Sequence, residues 1–100
     1  MLTIRIRNDN QSQEVTLDKG TLSFGRVAEE AGERVIIQDR YVSRHQLTIE
    51  ALPDDQLRVE NHGGTITFSD GTVAEKGESV EVAVPVGITV GFTTLEILQK

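Results

Sequence analysis

Residues 41–49 read Tyr-Val-Ser-Arg-His-Gln-Leu-Thr-Ile. In the second half of this stretch, apolar Leu47 and Ile49 alternate with polar neighbours, which is the period of a strand with one buried face. In the first half, Ser43 and Arg44 place a hydroxyl beside a guanidinium where that strand leaves a loop. The sheet fixes a strand end while the loop leaves it open to a ligand. A hydroxyl beside a guanidinium supplies hydrogen-bond donors that are suited to binding an oxyanion. The pattern alone favours a simpler interpretation, in which Ser43 caps a turn and Arg44 is solvated.

The same alternation continues upstream of this stretch. Leu2, Ile4 and Ile6 predict a strand with these three side chains facing inward. The polar cluster at residues 8–11 predicts a turn, and residues 13–17 alternate again. The N-terminal part of the chain is therefore expected to form a hairpin.

Further short strands are predicted wherever apolar and polar residues alternate between turn-forming residues. They span residues 22–24, 35–37, 46–50, 57–59, 66–68, 80–84, 88–90 and 93–98. Residues 53–55 predict a hairpin turn, and residues 27–34 predict a loop with one helical turn. A tight turn is expected at residues 61–64, because Gly63 and Gly64 tolerate positive φ. The chain is therefore expected to be all-β, a two-sheet β-sandwich of about ten to eleven short, mostly antiparallel strands.

Length and composition favour a single globular domain spanning residues 1–100. Of the 100 residues, 37% are hydrophobic and 26% are charged, as in ordinary soluble chains. The lack of cysteine excludes disulfides, thiolate chemistry and cysteine-ligated metal sites. No run of residues is apolar enough for a secretory signal or a membrane span, so a cytoplasmic location without a membrane partner is expected.

The net charge of −6 opposes binding to nucleic acid or to an anionic membrane, which both need a positive surface. Any anion must therefore be bound by a local cluster of cations. Four arginines lie in one part of the sequence, Arg26, Arg34, Arg40 and Arg44, but glutamates lie between them. Their number alone does not establish a basic patch.

No pattern in the sequence indicates an enzyme. It contains no P-loop, no dinucleotide-binding glycine motif and no nucleophile elbow. His45 and His62 are too few and too far apart to indicate a metal site, and no acid–base pair stands out among the carboxylates. A binding module without catalytic residues, metal or cofactor is expected.

Three short motifs resemble those of the forkhead-associated (FHA) domain, a β-sandwich that binds phosphothreonine peptides. They are Phe-Gly-Arg at residues 24–26 after the third strand, Val-Ser-Arg at residues 42–44 before the fifth, and Gly-Gly-Thr at residues 63–65 after the sixth. Their order, spacing and strand context all match, and the resemblance covers residues 2–98. It implies a protein-interaction module.

The resemblance implies a role for each matching residue. Arg26 corresponds to the arginine that contacts the phosphate, and Ser43 to the serine that hydrogen-bonds a phosphate oxygen. Arg44 occupies the position of a residue that touches the phosphate or the adjacent peptide backbone. Gly25 is expected to let the loop turn tightly, so that Arg26 points outward.

The chain departs from the family pattern at two positions. Where the family has the histidine of Ser-Arg-x-His, this chain has Gln46, whose donor and acceptor are expected to brace the binding loops instead. The family's Asn-Gly-Thr is replaced by Gly-Gly-Thr, after a shorter approach loop. In the family that asparagine grips the peptide main chain. Here Asn61, Gly63 and Gly64 are the candidate peptide contacts.

The resemblance implies a phosphothreonine-dependent module that recruits a phosphorylated protein or peptide in Ser/Thr kinase signalling, as in bacterial signalling proteins. A domain of this length that begins at Met1 is expected to be either the N-terminal module of a longer protein, whose other domains are further candidate partners, or a small stand-alone adaptor. The alternative is an FHA-like scaffold or oligomerisation module that binds a protein partner through a sheet face or edge, independently of phosphate. The altered loop at Gly63 and the acidic net charge motivate this alternative.

Overall fold

Eleven strands make up the secondary structure of the protein, given by a computed structural model that describes residues 1–28 and 34–99. They are β1 (Leu2–Asn8), β2 (Gln11–Leu17), β3 (Thr21–Gly25), β4 (Arg34–Ile36), β5 (Leu47–Leu52), β6 (Gln56–Asn61), β7 (Ile66–Phe68), β8 (Val73–Ala74), β9 (Ser79–Ala83), β10 (Val86–Val90) and β11 (Thr93–Gln99). Within those ranges no helix is long and apolar enough to cross a membrane. The helical turn predicted between Val27 and Arg34 lies largely outside the described residues.

The strands form two sheets, which confirms the predicted sandwich. The six-stranded sheet has the order β2-β1-β11-β10-β7-β8, and the five-stranded sheet has the order β4-β3-β5-β6-β9. Neighbouring strands with an assigned register pair antiparallel, except for the parallel pair β3 and β4. The first and last strands are neighbours, with Leu2 opposite Gln99.

The core lies between the sheets and consists of the inward positions of the alternating strands. Leu2, Ile4 and Ile6 are buried, as their spacing predicts, and so are Leu47 and Ile49. Full burial of each such side chain contributes about 1.5–3 kcal/mol to folding. The alternation of apolar and polar residues therefore decides which face of each strand packs into the core.

Two strand predictions need correction. Residues 35–37 were predicted to form a buried strand, but β4 ends at Ile36 and is only half-buried, since it lies at a sheet edge and pairs only with β3. Ile37 follows the strand and is the fully buried residue. β10 begins at Val86, before the predicted start at residue 88, because Val86 still pairs with Ile97.

The side chain of Gln11 joins the two sheets at one side of the sandwich. Its amide donates to the carbonyl of Ile36 at 2.8 Å, and its carbonyl oxygen accepts from the N–H of Gln38 at 2.9 Å. A glutamine amide thus makes the two bonds that a peptide unit of a neighbouring strand would make. This contact fixes the start of the loop that runs from Ile37 to Gln46.

Three loops meet at one end of the five-stranded sheet. β3 runs antiparallel to β5, with Phe24 opposite Leu47, and β6 ends at Asn61, also opposite Leu47. The end of β3, the start of β5 and the end of β6 therefore lie side by side. This arrangement brings the three motifs of the sequence to one surface.

Candidate phosphate-binding groove

Backbone hydrogen bonds lock the first two loops together. The N–H of Arg26 donates to the carbonyl of Ser43 at 3.1 Å, and the N–H of Gln46 donates to that of Phe24 at 2.9 Å. The third loop is attached in the same way, because the N–H of His62 donates to the carbonyl of Gln46 at 2.8 Å. The groove is therefore built on backbone contacts.

Gly25 is required by close packing and not by its backbone conformation. A Cβ at this position would lie 2.1 Å from the carbonyl oxygen of Arg44, which no rearrangement of a side chain could relieve. Its φ is not positive, so the tight turn expected from the sequence is not the reason for the glycine. Its absent side chain lets the segment leading to Arg26 lie directly against Arg44.

Ser43 is held from two sides. Its N–H donates to Oε1 of Gln46 at 2.8 Å, and its Oγ accepts from the N–H of Gly64 at 3.1 Å. A serine hydroxyl has one hydrogen to donate, and the bond from Gly64 leaves that hydrogen available. Ser43 is therefore suited to donating to an anion in the groove.

Gly63 is buried against Ser43. A Cβ at Gly63 would lie 2.3 Å from the Oγ and 2.4 Å from the Cβ of Ser43. Neither Gly63 nor Gly64 has a positive φ, so the turn chemistry predicted for them is wrong. The loop instead needs a glycine at position 63 so that it can approach Ser43.

Gln46 and Asn61 form a buried polar network beneath the loops, and both side chains are fully buried. Nε2 of Gln46 donates to Oδ1 of Asn61 at 2.9 Å and to the carbonyl of Gly64 at 2.8 Å. Nδ2 of Asn61 donates to the carbonyls of Gly64 at 3.0 Å and Ala74 at 2.9 Å. The network ties the start of β5 to the β6–β7 loop.

Asn61 was a candidate peptide contact, and the structure does not support that role. Its side chain has no exposed surface, and its Oδ1 accepts a further bond from the N–H of Gly63 at 3.2 Å. A peptide could reach it only after the loop had opened and these bonds had broken. Asn61 holds the loop from beneath.

The four clustered arginines separate into different environments. Arg26 is exposed, and its Nε donates to the carbonyl of Val42 at 3.0 Å. Arg44 is exposed and also lines the groove, whereas Arg34 donates to the carbonyl of Arg44 at 3.2 Å and so supports the loop. Arg40 lies on a different cavity. The structure therefore brings two of the four, Arg26 and Arg44, to the groove that contains Ser43.

The groove is open and has a volume of about 570 Å³. Its lining consists of Arg26, Ser43, Arg44, His45, His62, Gly63, Gly64, Thr65, Glu75 and Lys76. Arginine and lysine supply three positive charges, and the acid on this surface, Glu75, accepts a hydrogen bond from Thr65 at 2.7 Å. This local excess of positive charge, on a chain of net charge −6, is suited to an oxyanion.

Four lining residues were missed by the sequence analysis. The rings of His45 and His62 stack with centroids 4.2 Å apart, and Oγ1 of Thr48 lies 3.1 Å from Nε2 of His62. Glu75 and Lys76 come from the turn between β8 and β9. No local pattern identifies these residues, because their proximity depends on the order of strands in the two sheets.

Solved structures with the same architecture are known, although neither a protein-family model nor a curated protein matches the sequence. The FHA domain of CT664 from Chlamydia trachomatis matches with a TM-score of 0.77 and 15% identity, covering 99% of this chain and 97% of that one. The FhaA FHA domain in complex with the intracellular domain of Rv3910 matches with a TM-score of 0.71 and 19% identity, covering 97% and 99%. The fold is that of the forkhead-associated domain.

A third FHA domain, from a study of phosphothreonine-dependent FHA domain interactions, matches with a TM-score of 0.67 and 19% identity, covering 98% of this chain and 97% of that one. Within the FHA fold of the present chain, Arg26, Ser43 and Arg44 meet at one groove. Gln46 lies beneath this groove and Gly25 beside it.

Proposed function

We propose that this FHA fold is a phosphothreonine-dependent binding module that recruits a phosphorylated protein or peptide, and is not an enzyme. The observation that carries the proposal is the joint position of Arg26 and Ser43. The backbone N–H of Arg26 donates to the carbonyl of Ser43, and the Nε of Arg26 donates to the carbonyl of Val42. These two bonds hold the guanidinium of Arg26 and the hydroxyl of Ser43 on one surface. That surface is the groove.

The chemistry of these groups matches a phosphothreonine. Its phosphate carries about −1.5 to −2 charges and three acceptor oxygens. Arg26 supplies a planar fork with fixed donors, and Ser43 supplies a hydroxyl hydrogen. Arg44 and Lys76 add positive charge on the same surface. Hydrogen bonds to a charged group contribute about 1.5–3 kcal/mol each, so two or three of them suffice for specific recognition.

The peptide around the phosphothreonine is contacted less extensively in this proposal. Gly63 and Gly64 offer only backbone to the groove, and the carbonyl of Gly64 already accepts from Gln46 and Asn61. Side chains at the rim, such as His62 and Lys76, are left to contact the peptide. We therefore infer that the phosphate supplies most of the affinity for the partner. Binding would then depend on phosphorylation, as a recruiting module in Ser/Thr kinase signalling requires.

The test measures binding of degenerate phosphothreonine, phosphoserine and unphosphorylated peptide libraries by fluorescence anisotropy. Arg26→Ala should lower the affinity for phosphothreonine peptides roughly ten- to hundredfold, because a charge-assisted bond is lost. Arg40→Ala is the matched control, an exposed arginine in a neighbouring loop segment outside the groove, and should leave this affinity unchanged.

Equal binding of all three libraries would contradict the proposal. A partner that still binds the Arg26→Ala variant would favour the alternative, an FHA-like scaffold that associates independently of phosphate. Selectivity for phosphothreonine that is lost in the Arg26 variant and kept in the Arg40 variant is the expected result.

A further inference from the structure

The two exposed aromatic residues of the chain contact each other. Of three phenylalanines and one tyrosine, Phe24 and Phe68 are in the core, whereas Tyr41 is 56% and Phe92 is 73% exposed. The rings of Tyr41 and Phe92 meet edge to face, with centroids 4.9 Å apart. An aromatic pair left in water on a small domain is typical of a contact surface for another molecule.

A single buried carboxylate positions both aromatic residues. Oδ1 of Asp39 accepts from the N–H of Tyr41 at 2.9 Å, and Oδ2 accepts from the N–H of Phe92 at 2.7 Å and from the hydroxyl of Thr93 at 2.8 Å. Burial by itself raises the pKa of Asp39, but these hydrogen bonds outweigh it and lower the pKa below its ordinary value. Asp39 therefore remains a carboxylate that fixes the backbone at both rings.

The turn that carries Phe92 is also packed against Tyr41. Gly91 has a φ of +58°, and a Cβ there would lie 2.9 Å from Oδ2 of Asp39 and 3.1 Å from the Cβ of Tyr41. Nδ2 of Asn8 donates to the hydroxyl of Thr93 at 3.0 Å, which ties the β1–β2 turn to the same place. The backbone that carries both rings is thus held in position before any ligand arrives, which reduces the entropy lost on binding.

The pair forms one wall of a cavity of about 380 Å³. The remaining lining comes from Asn8, Asp9, Asn10, Gln38, Asp39 and Arg40. The cavity therefore shares no lining residue with the phosphate-binding groove. The guanidinium of Arg40 lies 5.1 Å from the centroid of the Tyr41 ring and donates to its hydroxyl at 3.1 Å. Because Arg40 covers Tyr41, the apolar surface that remains open belongs mainly to Phe92.

We propose that this cavity docks one large apolar side chain, aromatic or long aliphatic, from an unphosphorylated segment of a partner protein that carries a lysine or arginine beside it. Phe92 supplies most of the apolar contact beside Tyr41 and Arg40, and tyrosine and arginine are, with tryptophan, enriched among the residues that dominate binding energy in protein interfaces. The cavity lining carries two carboxylates, Asp9 and Asp39, and one guanidinium, Arg40, so its net formal charge is negative, with Asp9 exposed at the rim. With the net charge of −6, this local charge favours a basic neighbour in the partner.

The experiment titrates the intact 100-residue chain, labelled with ¹⁵N, with unphosphorylated nonapeptides whose central residue is Trp, Leu or Ala and whose neighbours are Lys or Glu. Peptides with central Trp or Leu and flanking Lys should shift the amide signals of Tyr41, Phe92 and Asn10. Phe92→Ser should weaken this binding roughly tenfold or more. Asp9→Asn should reduce the preference for Lys over Glu.

Val73→Ser is the matched control, since Val73 is an exposed apolar residue outside the cavity and its loss should not change binding. Unchanged binding of phosphothreonine peptides by Phe92→Ser would show that this variant is folded and that the two surfaces act separately. The proposal would be overturned if Ala-centred peptides bound as tightly as Trp- and Leu-centred ones, or if the shifted amide signals were confined to Ser43 and Gly63. It would also be overturned if no signal shifted at about 1 mM peptide. Since Arg26→Ala should leave this site intact, either proposal can fail alone.

Discussion

At the scale of single residues, Gly63 and Gly64 are adjacent in the loop but differ in what surrounds them. An added Cβ at Gly63 would overlap Ser43, whereas nothing lies within 4 Å of one at Gly64. Gly63→Ala should therefore displace the Ser43 hydroxyl and lower phosphothreonine affinity roughly tenfold, the effect of losing about one charge-assisted bond. Gly64→Ala is the control and should change affinity less than about twofold. Equal effects of the two substitutions in the anisotropy assay would contradict this reading of the loop.

The same residues show what sequence reasoning could not supply. The resemblance of the three motifs to those of the FHA domain implies that residues 24–26, 42–44 and 63–65 share a surface, whereas alternation by itself predicts only the strands between them. That Gly63 makes room for Ser43, and that Asn61 is buried, depends on side-chain contacts between loops some twenty residues apart. Residues that resemble a family's motif can thus be positioned correctly while their physical roles differ from those expected.

At the scale of elements, the β5–β6 hairpin combines a correctly predicted turn with a strained backbone. Asp54 and Asp55 have φ values of 63° and 57°, a region that aspartate tolerates and glycine occupies without a steric penalty. The carbonyl of Asp55 accepts from the N–H of Val84, so the conformation is held from outside the hairpin. Asp55→Gly should relieve about 1–3 kcal/mol of backbone strain and cost about 0.5–1 kcal/mol through the greater entropy of the unfolded chain. The free energy of unfolding should therefore rise by roughly 0.5–1 kcal/mol, as measured by urea denaturation.

Asp70 is the control for this prediction, because it also lies in a turn but has no positive φ and accepts a hydrogen bond from the N–H of Thr72 at 2.9 Å. Asp70→Gly should lower the free energy of unfolding. If both substitutions destabilised the protein, the backbone of Asp55 would not be strained.

Most elements could be predicted because a period of two residues is a local signal. The elements that were misjudged lie at positions where neighbouring strands decide the outcome. β4 is an edge strand paired only with β3, and its short length follows from that pairing and not from the apolar run at residues 35–37. Likewise, Tyr41 and Phe92 come together only because the β10–β11 turn packs against the loop before β5.

At the scale of the whole molecule, Asp39 links the stability of the domain to pH. Its pKa is lowered in the folded state, so its contribution to stability is present above its unfolded pKa and is lost as the pH falls through its folded value. Asp39→Asn should lower the free energy of unfolding by roughly 1–3 kcal/mol at pH 7, because three hydrogen bonds to a buried carboxylate are weakened.

The difference between wild type and Asp39→Asn should shrink as the pH is lowered from about 5 to about 3, as measured by urea denaturation at each pH. Thr94→Ala, an exposed change on the same strand as Thr93, should leave the acid dependence of the wild type unaltered. A difference that stays constant with pH would show that the carboxylate charge of Asp39 is not what stabilises the fold.

Because the first and last strands are neighbours, the two termini of the domain lie close together. Leu2 lies opposite Gln99, and paired residues in antiparallel strands are separated by about 5 Å. The other end of β1, at Asn8, contacts Gln38 in the loop that leads to Ser43. Tethers at either terminus would therefore leave from the same pole of the sandwich, with the binding loops at the opposite pole. A domain tethered through either terminus would therefore present its groove on the side that faces away from the tether.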